Sequence, residues 1–133
     1  MMKKIRVLLA ENHTIVRQGI AALLGTESDM EVVGEASDGL EAIEMAKKLV
    51  PDVVLMDIGM QHLNGLEATR QIKKLFPSTK VLVLTMYDNE EWVFQILRAG
   101  ASGYLIKDSA MTDLTSALRA VYQGDSYLSP SIS

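Results

Sequence analysis

Short apolar runs alternate along the sequence with longer segments in which apolar residues recur at helical spacing. The run at 52–57, DVVLMD, is continuously apolar between its two Asp residues, which is typical of a strand covered on both faces in a parallel sheet. Comparable runs predict strands at 4–10, 30–37, 80–85 and 102–107. The run at 30–37 is more polar than the others, so we expect it at an edge of the sheet.

A helical segment follows each predicted strand. The spacing of apolar residues predicts a first helix within 13–25 and a last one within 109–124. The three helices between them begin with the pattern of a capping box, in which an Asp or Asn caps the first turn and a Glu follows three residues later. The predicted caps are Asp38, Asn64 and Asp88. Five strands alternating with five helices predict right-handed crossovers and a parallel sheet between two layers of helices.

Polar residues close four of the predicted strands. In a parallel α/β sheet the carboxyl ends of the strands share one edge, and ligands bind there, where the strand order reverses. The residues at these ends are Glu11 and Asn12, Asp57, Thr85, and Lys107. Carboxylate and amide oxygens suit Mg²⁺, whereas an ammonium and a hydroxyl suit the oxygens of a phosphoryl group. The residues therefore predict that Asp57 accepts a phosphoryl group with the help of a metal.

Composition narrows the class of protein. With 133 residues, of which 48% are hydrophobic and 23% charged, the chain is expected to form one globular domain. It contains no cysteine, which excludes disulfides and thiolate metal sites and fits a cytoplasmic protein. The net charge of −4 gives no electrostatic reason for this chain to bind nucleic acid itself. No apolar stretch approaches the length of a membrane span, so we expect no membrane contact.

Several stretches together carry a family resemblance: RVLLAENHTIVRQGI, PDVVLMDIGM, NGLEAT, VLVLTMYDNEEWVFQILRAGASGYLIKD and the tail YLSP. From about Lys4 to Gly124, the chain resembles the receiver domain of a bacterial two-component response regulator of the NarL/FixJ (LuxR-type) subgroup. The resemblance implies a flavodoxin-like (βα)5 doubly wound parallel sheet with the strand order 2-1-3-4-5. It also implies a receiver domain over 1–124, with 125–133 as the start of a linker to a C-terminal helix-turn-helix output domain.

The resemblance assigns roles to the residues at the strand ends. Asp57 matches the residue that accepts a phosphoryl group from a histidine kinase. Glu11 and Asn12 match the acidic pair that binds Mg²⁺ together with Asp57, and the backbone carbonyl of Gly59 matches a further protein ligand. These matches imply a magnesium-assisted phosphorylation site.

Three more residues match positions that respond to the phosphoryl group. Lys107 matches the lysine that contacts the phosphoryl oxygens. Thr85 matches the hydroxyl that swings toward those oxygens, and Tyr104 matches the aromatic residue that changes rotamer in concert. The resemblance therefore implies a switch between two conformations rather than a dedicated enzyme.

The family also implies partners for such a switch. The expected partner is a cognate sensor histidine kinase, and DNA is reached only through the output domain, which regulates transcription. In the family, the face formed by the fourth helix, the fifth strand and the fifth helix serves dimerisation or output contacts. The resemblance therefore allows a homodimer, and no residue of this sequence assigns it to that face.

Two residues depart from the family pattern. Asn12 stands where the family usually has a second acidic residue, so one negative charge next to the metal is missing. We expect weaker Mg²⁺ binding and slower phosphorylation or dephosphorylation from this change, but not necessarily their loss. Gln61 stands where the motif after the acceptor normally has Pro, which leaves that loop less restricted. Both departures leave open a pseudo-receiver, the same fold used as a dimerisation or protein-binding module without phosphorylation.

Other readings are disfavoured by specific residues. Phosphatases of the haloacid-dehalogenase kind place a second Asp two residues after the nucleophile, where this chain has Gly59. A nucleotide-binding domain is disfavoured because the segment after the first strand is not glycine-rich and no GxxxxGK[ST] loop is present. His13 and His62 lack a second histidine at ligand spacing, so we predict that both are surface or turn residues rather than metal ligands.

Overall fold

Strands and helices alternate in the computed structural model, which describes residues 3–60, 64–86, 89–107 and 110–128. The strands are β1 Ile5–Ala10, β2 Met30–Ala36, β3 Val53–Asp57, β4 Lys80–Thr85 and β5 Gly103–Ile106. The helices are α1 Thr14–Gly25, α2 Gly39–Leu49, α3 Gly65–Leu75, α4 Glu90–Arg98 and α5 Ala110–Tyr122. Each lies within two residues of its predicted bounds, because hydrophobic periodicity locates an element better than its ends. Among the described helices, none is long and apolar enough to span a membrane.

All strand pairs in the sheet are parallel, and the strand order is β2-β1-β3-β4-β5. This confirms the predicted flavodoxin-like fold, including β2 at an edge. The order reverses between β1 and β3, where Ala10 pairs with Met56. On the other side of β3, Asp57 pairs with Leu84. The carboxyl ends of these strands are therefore level, and the residues that follow them meet at one edge.

Each face of the sheet is covered by its own hydrophobic cluster. Helices α1 and α5 cover one face with apolar side chains such as Leu24 and Leu118, which are fully buried. Helices α2, α3 and α4 cover the other face, where Ile72 and Ile96 are fully buried. Burial of an aliphatic side chain of this size contributes roughly 1.5–3 kcal/mol to folding. The two clusters hold the sheet rigid beneath its carboxyl edge, where the predicted site lies.

Two of the predicted helix caps are confirmed. Asp38 Oδ1 accepts a hydrogen bond of 2.8 Å from the backbone N–H of Glu41 at the start of α2. Asn64 Oδ1 accepts one of 2.9 Å from the N–H of Glu67 at the start of α3. In both helices the acceptor satisfies a donor that the first turn leaves without a partner. The cap of α3 matters for the site because this helix follows the loop after Asp57.

The third predicted cap is wrong by one residue. Helix α4 is capped by Asn89, whose side chain accepts a hydrogen bond of 2.8 Å from the N–H of Trp92. Asp and Asn cap equally well, so the pair Asp88–Asn89 offers two starting points that the sequence alone does not separate. Asp88 itself lies outside the described residues, as do Gln61 and His62.

Beyond α5 the chain returns to the outer edge of β5. The backbone N–H of Tyr104 donates a hydrogen bond of 2.9 Å to the carbonyl of Tyr127, whose own N–H donates to the carbonyl of Ser102 at 3.2 Å. Gly103 forms a parallel bridge with Tyr127. A Cβ atom at Gly103 would lie 2.1 Å from the Tyr127 carbonyl oxygen, so this position has no room for a side chain. The segment after α5 is therefore anchored to the sheet at Tyr127.

Candidate functional site

Three charged side chains from separate strand ends meet at the carboxyl edge of the sheet. Lys107, which follows β5, places its Nζ atom 2.8 Å from Glu11 Oε1 and 3.2 Å from Asp57 Oδ1. Glu11 follows β1 and is fully buried, and Asp57 closes β3 with only 3% of its surface exposed. The sequence predicted this meeting from topology alone. The two carboxylates thus share one ammonium group in a nearly dry environment.

The two oxygens of Asp57 have different surroundings. Oδ1 contacts Lys107 and accepts a hydrogen bond of 3.3 Å from the backbone N–H of Gly59. Oδ2 is buried and accepts no hydrogen bond from the described residues. The buried Oδ1 of Asn12 likewise has no hydrogen-bond partner in the described part of the chain. Buried oxygens without donors are costly, so each of these atoms would be stabilised by a cation or a donor group.

The surroundings of the site shift the pKa values of its two carboxyl groups in opposite directions. Burial raises the pKa of Asp57 above its ordinary value, and the neighbouring Glu11 carboxylate raises it further. Burial opposes the ionisation of Glu11 as well, but its contacts with Asp57 and Lys107 outweigh burial and lower its pKa. Burial acts against the charge of Lys107, yet the two carboxylates outweigh it and raise the pKa of the lysine. A further cation at this edge would favour the ionised form of Asp57.

His13 also belongs to the site, although the sequence analysis placed it at the surface. Its ring is exposed, at 65%, but Nδ1 lies 3.2 Å from Glu11 Oε2. Its backbone N–H donates to the same oxygen at 3.2 Å. The signal in the sequence was a histidine two residues after a strand-end carboxylate. The sequence analysis looked only for a second histidine at ligand spacing and therefore did not detect it.

The donor set fits a divalent cation. Glu11, His13 and Asp57 each offer a ligand atom, and these atoms lie within 4.8 Å of one another. The amide oxygen of Asn12, the residue after Glu11, is also buried and has no hydrogen bond from the described residues. Carboxylate and amide oxygens are ligands that Mg²⁺ accepts, and the cation would compensate the crowded negative charge. Gly59, the other predicted ligand, is in the loop directly after Asp57.

The two predicted switch residues are buried in the neighbouring strands β4 and β5. Thr85 closes β4 and is fully buried, and its carbonyl accepts a hydrogen bond of 2.8 Å from the backbone N–H of Lys107. Tyr104 is fully buried in the cluster under α2, α3 and α4, next to Val83 of β4. Met86, directly after Thr85, is 58% exposed. The paired strands β4 and β5 therefore connect Thr85, Tyr104 and Lys107 through backbone hydrogen bonds.

Comparison with known proteins places these features in a family. Residues 7–119 match the sequence profile of the family described as response regulator receiver domain. The oxygen regulatory protein NreC of Staphylococcus carnosus is 44% identical over 126 residues, which make up 94% of this chain and 58% of NreC. The chain spans little more than half the length of the curated relatives it matches.

Solved structures agree with this result. A two-component response regulator of the LuxR family from Aurantimonas sp. SI85-9A1 matches with a TM-score of 0.93 and 34% identity, covering 98% of this chain and 93% of that chain. The isolated REC domain of RcsB from Salmonella enterica serovar Typhimurium, solved in the presence of the phosphomimetic BeF₃⁻, matches with a TM-score of 0.88 and 32% identity. That match covers 98% of this chain and 96% of the RcsB chain.

Proposed function

The chain belongs to the response regulator receiver domains of the NarL/FixJ (LuxR-type) subgroup, and we propose that it works as a phosphorylation-dependent signalling switch. In this proposal Asp57 accepts a phosphoryl group from a sensor histidine kinase. The observation that carries the proposal is the position of Lys107, which contacts both Glu11 and Asp57 at the carboxyl edge of the sheet. One carboxylate is thereby held beside a cation that can also contact incoming phosphoryl oxygens.

The chemical step is a transfer between two proteins. An oxygen of the Asp57 carboxylate attacks phosphorus while the bond from phosphorus to the kinase's histidine nitrogen breaks, and the electron pair returns to that imidazole. The products are an acyl phosphate on Asp57 and the free histidine. Lys107 would neutralise part of the charge on the transferred group, and the N–H of Gly59 already donates to Asp57 Oδ1 and fixes the orientation of the carboxylate.

Magnesium fits the oxygen donors of the site, and Glu11, Asn12, Asp57 and the carbonyl of Gly59 are the residues that we propose hold it. When bound, the ion supplies positive charge for the phosphoryl oxygens. Asn12 provides an oxygen without a negative charge, so we expect weaker Mg²⁺ binding than a second carboxylate would give. The raised pKa of Asp57 supports a role for the cation, because added positive charge favours the ionised nucleophile.

Phosphorylation would be transmitted through the buried switch residues. An acyl phosphate on Asp57 adds oxygens that the hydroxyl of Thr85 can approach, and the space that Thr85 vacates can accept the ring of Tyr104. Both side chains are fully buried, so neither can change its position without rearrangement of the side chains packed around it. Phosphorylation biases this two-state element and in this way changes the outer surface of α4 and β5.

The output of the switch is transcriptional in this proposal. The curated relatives include transcriptional regulators that extend well beyond the matched region. We therefore propose that this receiver, cytoplasmic and not a dedicated enzyme, acts through a linker beginning near residue 125 and a helix-turn-helix output domain. Phe94 and Leu97 on α4 are exposed apolar residues on the face that we propose for a homodimer.

Asn12 favours a second candidate, a pseudo-receiver that binds a protein partner without phosphorylation. Incubation with Mg²⁺ and acetyl phosphate, followed by intact mass measurement, separates the two. We expect the mass of one phosphoryl group to be added, Asp57→Asn to abolish the addition, and Asn12→Asp to speed it. A chain that gains no Asp57-dependent mass across a magnesium titration is the pseudo-receiver. An Asn12→Asp rate equal to that of the parent would contradict the role given to Asn12.

A further inference from the structure

His13 stands in a position from which it can reach the same cation as the carboxylates. Its Nδ1 atom lies 3.2 Å from Glu11 Oε2. Two ligand atoms that are each about 2.1 Å from one ion, at right angles, lie about 3 Å apart. The observed separation is therefore close to that of neighbouring ligands in one coordination sphere.

Lys107 contacts only one oxygen of each carboxylate, which supports a cation bound by the other two. It contacts Oε1 of Glu11 and Oδ1 of Asp57. The other oxygen of Glu11 faces His13, and the other oxygen of Asp57 is buried without a hydrogen-bond partner in the described chain. One oxygen of each carboxylate thus remains for a cation that lies away from the ammonium group.

The orphaned oxygen of Asp57 is the independent sign of a ligand here, because Asp57 is 97% buried, at 3% exposure. A carboxylate oxygen held in such a place is stabilised by a cation, by a donor group or by a proton of its own, and only the cation both leaves Asp57 ionised and offsets its charge. The ring of His13 is exposed, so it can rotate or shift toward an ion without disturbing the core. Asn12 lies between Glu11 and His13 in the sequence, and its Oδ1 is also buried and without a partner in the described chain.

The chemistry of that set determines which cation it prefers. Mg²⁺ prefers oxygen ligands and gains little from an imidazole, whereas Mn²⁺ and Co²⁺ accept imidazole nitrogen readily. In this chain an imidazole follows the Asn12 amide in the sequence, and its nitrogen favours the softer ions over Mg²⁺. We propose that His13 is a ligand of the site's divalent cation and makes the site prefer Mn²⁺ and Co²⁺ over Mg²⁺. This inference rests on the proposed function, in that it assumes a cation at Glu11 and Asp57.

Calorimetric titration of the parent chain and His13→Ala with Mg²⁺, Mn²⁺ and Co²⁺ tests the inference. We expect His13→Ala to weaken Co²⁺ and Mn²⁺ binding about tenfold, and to leave Mg²⁺ binding within about twofold. The substitution should fold normally, because the His13 side chain makes no capping hydrogen bond to α1. The visible absorption of bound Co²⁺ should change when the nitrogen ligand is lost, which a purely structural role would not cause.

Two further variants separate the outcomes. His62→Ala removes the only other histidine and should leave Co²⁺ affinity unchanged. Asp57→Asn should weaken binding of all three cations. The inference would be overturned if His13→Ala weakened the binding of all three cations equally, if it weakened none, or if His62→Ala had the effect instead. In each of these cases Asp57-dependent Mg²⁺ binding would still support the proposed function. Cation binding indifferent to Asp57→Asn would contradict both.

Discussion

At the scale of single residues, the site is a compromise between burial and charge. Asp57 and Glu11 bring two carboxylates into a nearly dry environment with only Lys107 between them among the described residues. The ionised form of Asp57 is disfavoured, since burial and the Glu11 carboxylate raise its pKa. A group whose charged form is disfavoured in the folded state reduces stability once it ionises. The arrangement is therefore better suited to binding a cation and a phosphoryl group than to stability.

Asp57→Asn should stabilise the fold in the absence of divalent cations, by about 1 kcal/mol near neutral pH. The pKa of Asp57 is raised in the folded state, so the parent chain loses stability as the pH rises from the ordinary pKa of an aspartate through this raised value. The amide does not titrate. Chemical unfolding at a series of pH values should show an advantage for the variant that grows with pH and disappears in acid. A stability advantage of the variant that is constant with pH would mean that the charge of Asp57 is not what destabilises the parent chain.

Lys107→Met should have the opposite effect, because it leaves two buried carboxylates without their shared cation. We expect a loss of about 2 kcal/mol near neutral pH, smaller in acid where Asp57 is protonated. Lys107→Arg keeps the positive charge and serves as the matched control. Urea unfolding of both variants with and without Mn²⁺ measures the effect, and added cation should recover part of the loss. Equal stability of the Met and Arg variants would mean that charge is not what Lys107 contributes.

At the scale of elements, the sequence predicts strands and helices well because each carries its own periodicity. The continuous apolar run of β3 and the caps at Asp38 and Asn64 are local signals, and the structure confirms them. The start of α4 was misplaced because Asp88 and Asn89 are equivalent caps by propensity. Only the packing of α4 decides between them.

Gly65, the first residue of α3, packs directly against the backbone at the end of β3. A Cβ atom at Gly65 would lie 2.2 Å from the carbonyl oxygen of Asp57, and backbone cannot yield as a side chain can. Gly65→Ala should cost about 2–3 kcal/mol and should slow phosphorylation by acetyl phosphate, because Asp57 must shift. Gly19→Ala is the matched control: nothing lies within 4 Å of its Cβ in α1, so it should stabilise by up to about 1 kcal/mol. Thermal unfolding of both tests this, and equal effects would contradict the steric argument.

At the scale of the whole molecule, topology brings together residues that are far apart in sequence. The meeting of Glu11, Asp57 and Lys107 could be predicted because parallel strands expose their carboxyl ends at one edge. The contact of Tyr127 with Gly103 could not, and the contact of His13 with Glu11 has only the spacing of the two residues as its signal. Each depends on the path of a loop or tail, which no periodicity encodes.

The anchoring of the tail to β5 can be measured as a coupling between Gly103 and the segment after Gly124. In the whole chain, Gly103→Ala should cost about 2 kcal/mol, since its Cβ would overlap the carbonyl of Tyr127. In a chain that ends at Gly124 that obstacle is gone, and the same substitution should be nearly neutral. Unfolding of the four chains gives the coupling energy directly. Equal costs in both backgrounds would mean that the tail is not held against β5 in solution. A strong coupling would mean that the polypeptide leaving the receiver is bound next to Tyr104, so that rearrangement of this residue can reach whatever follows the tail.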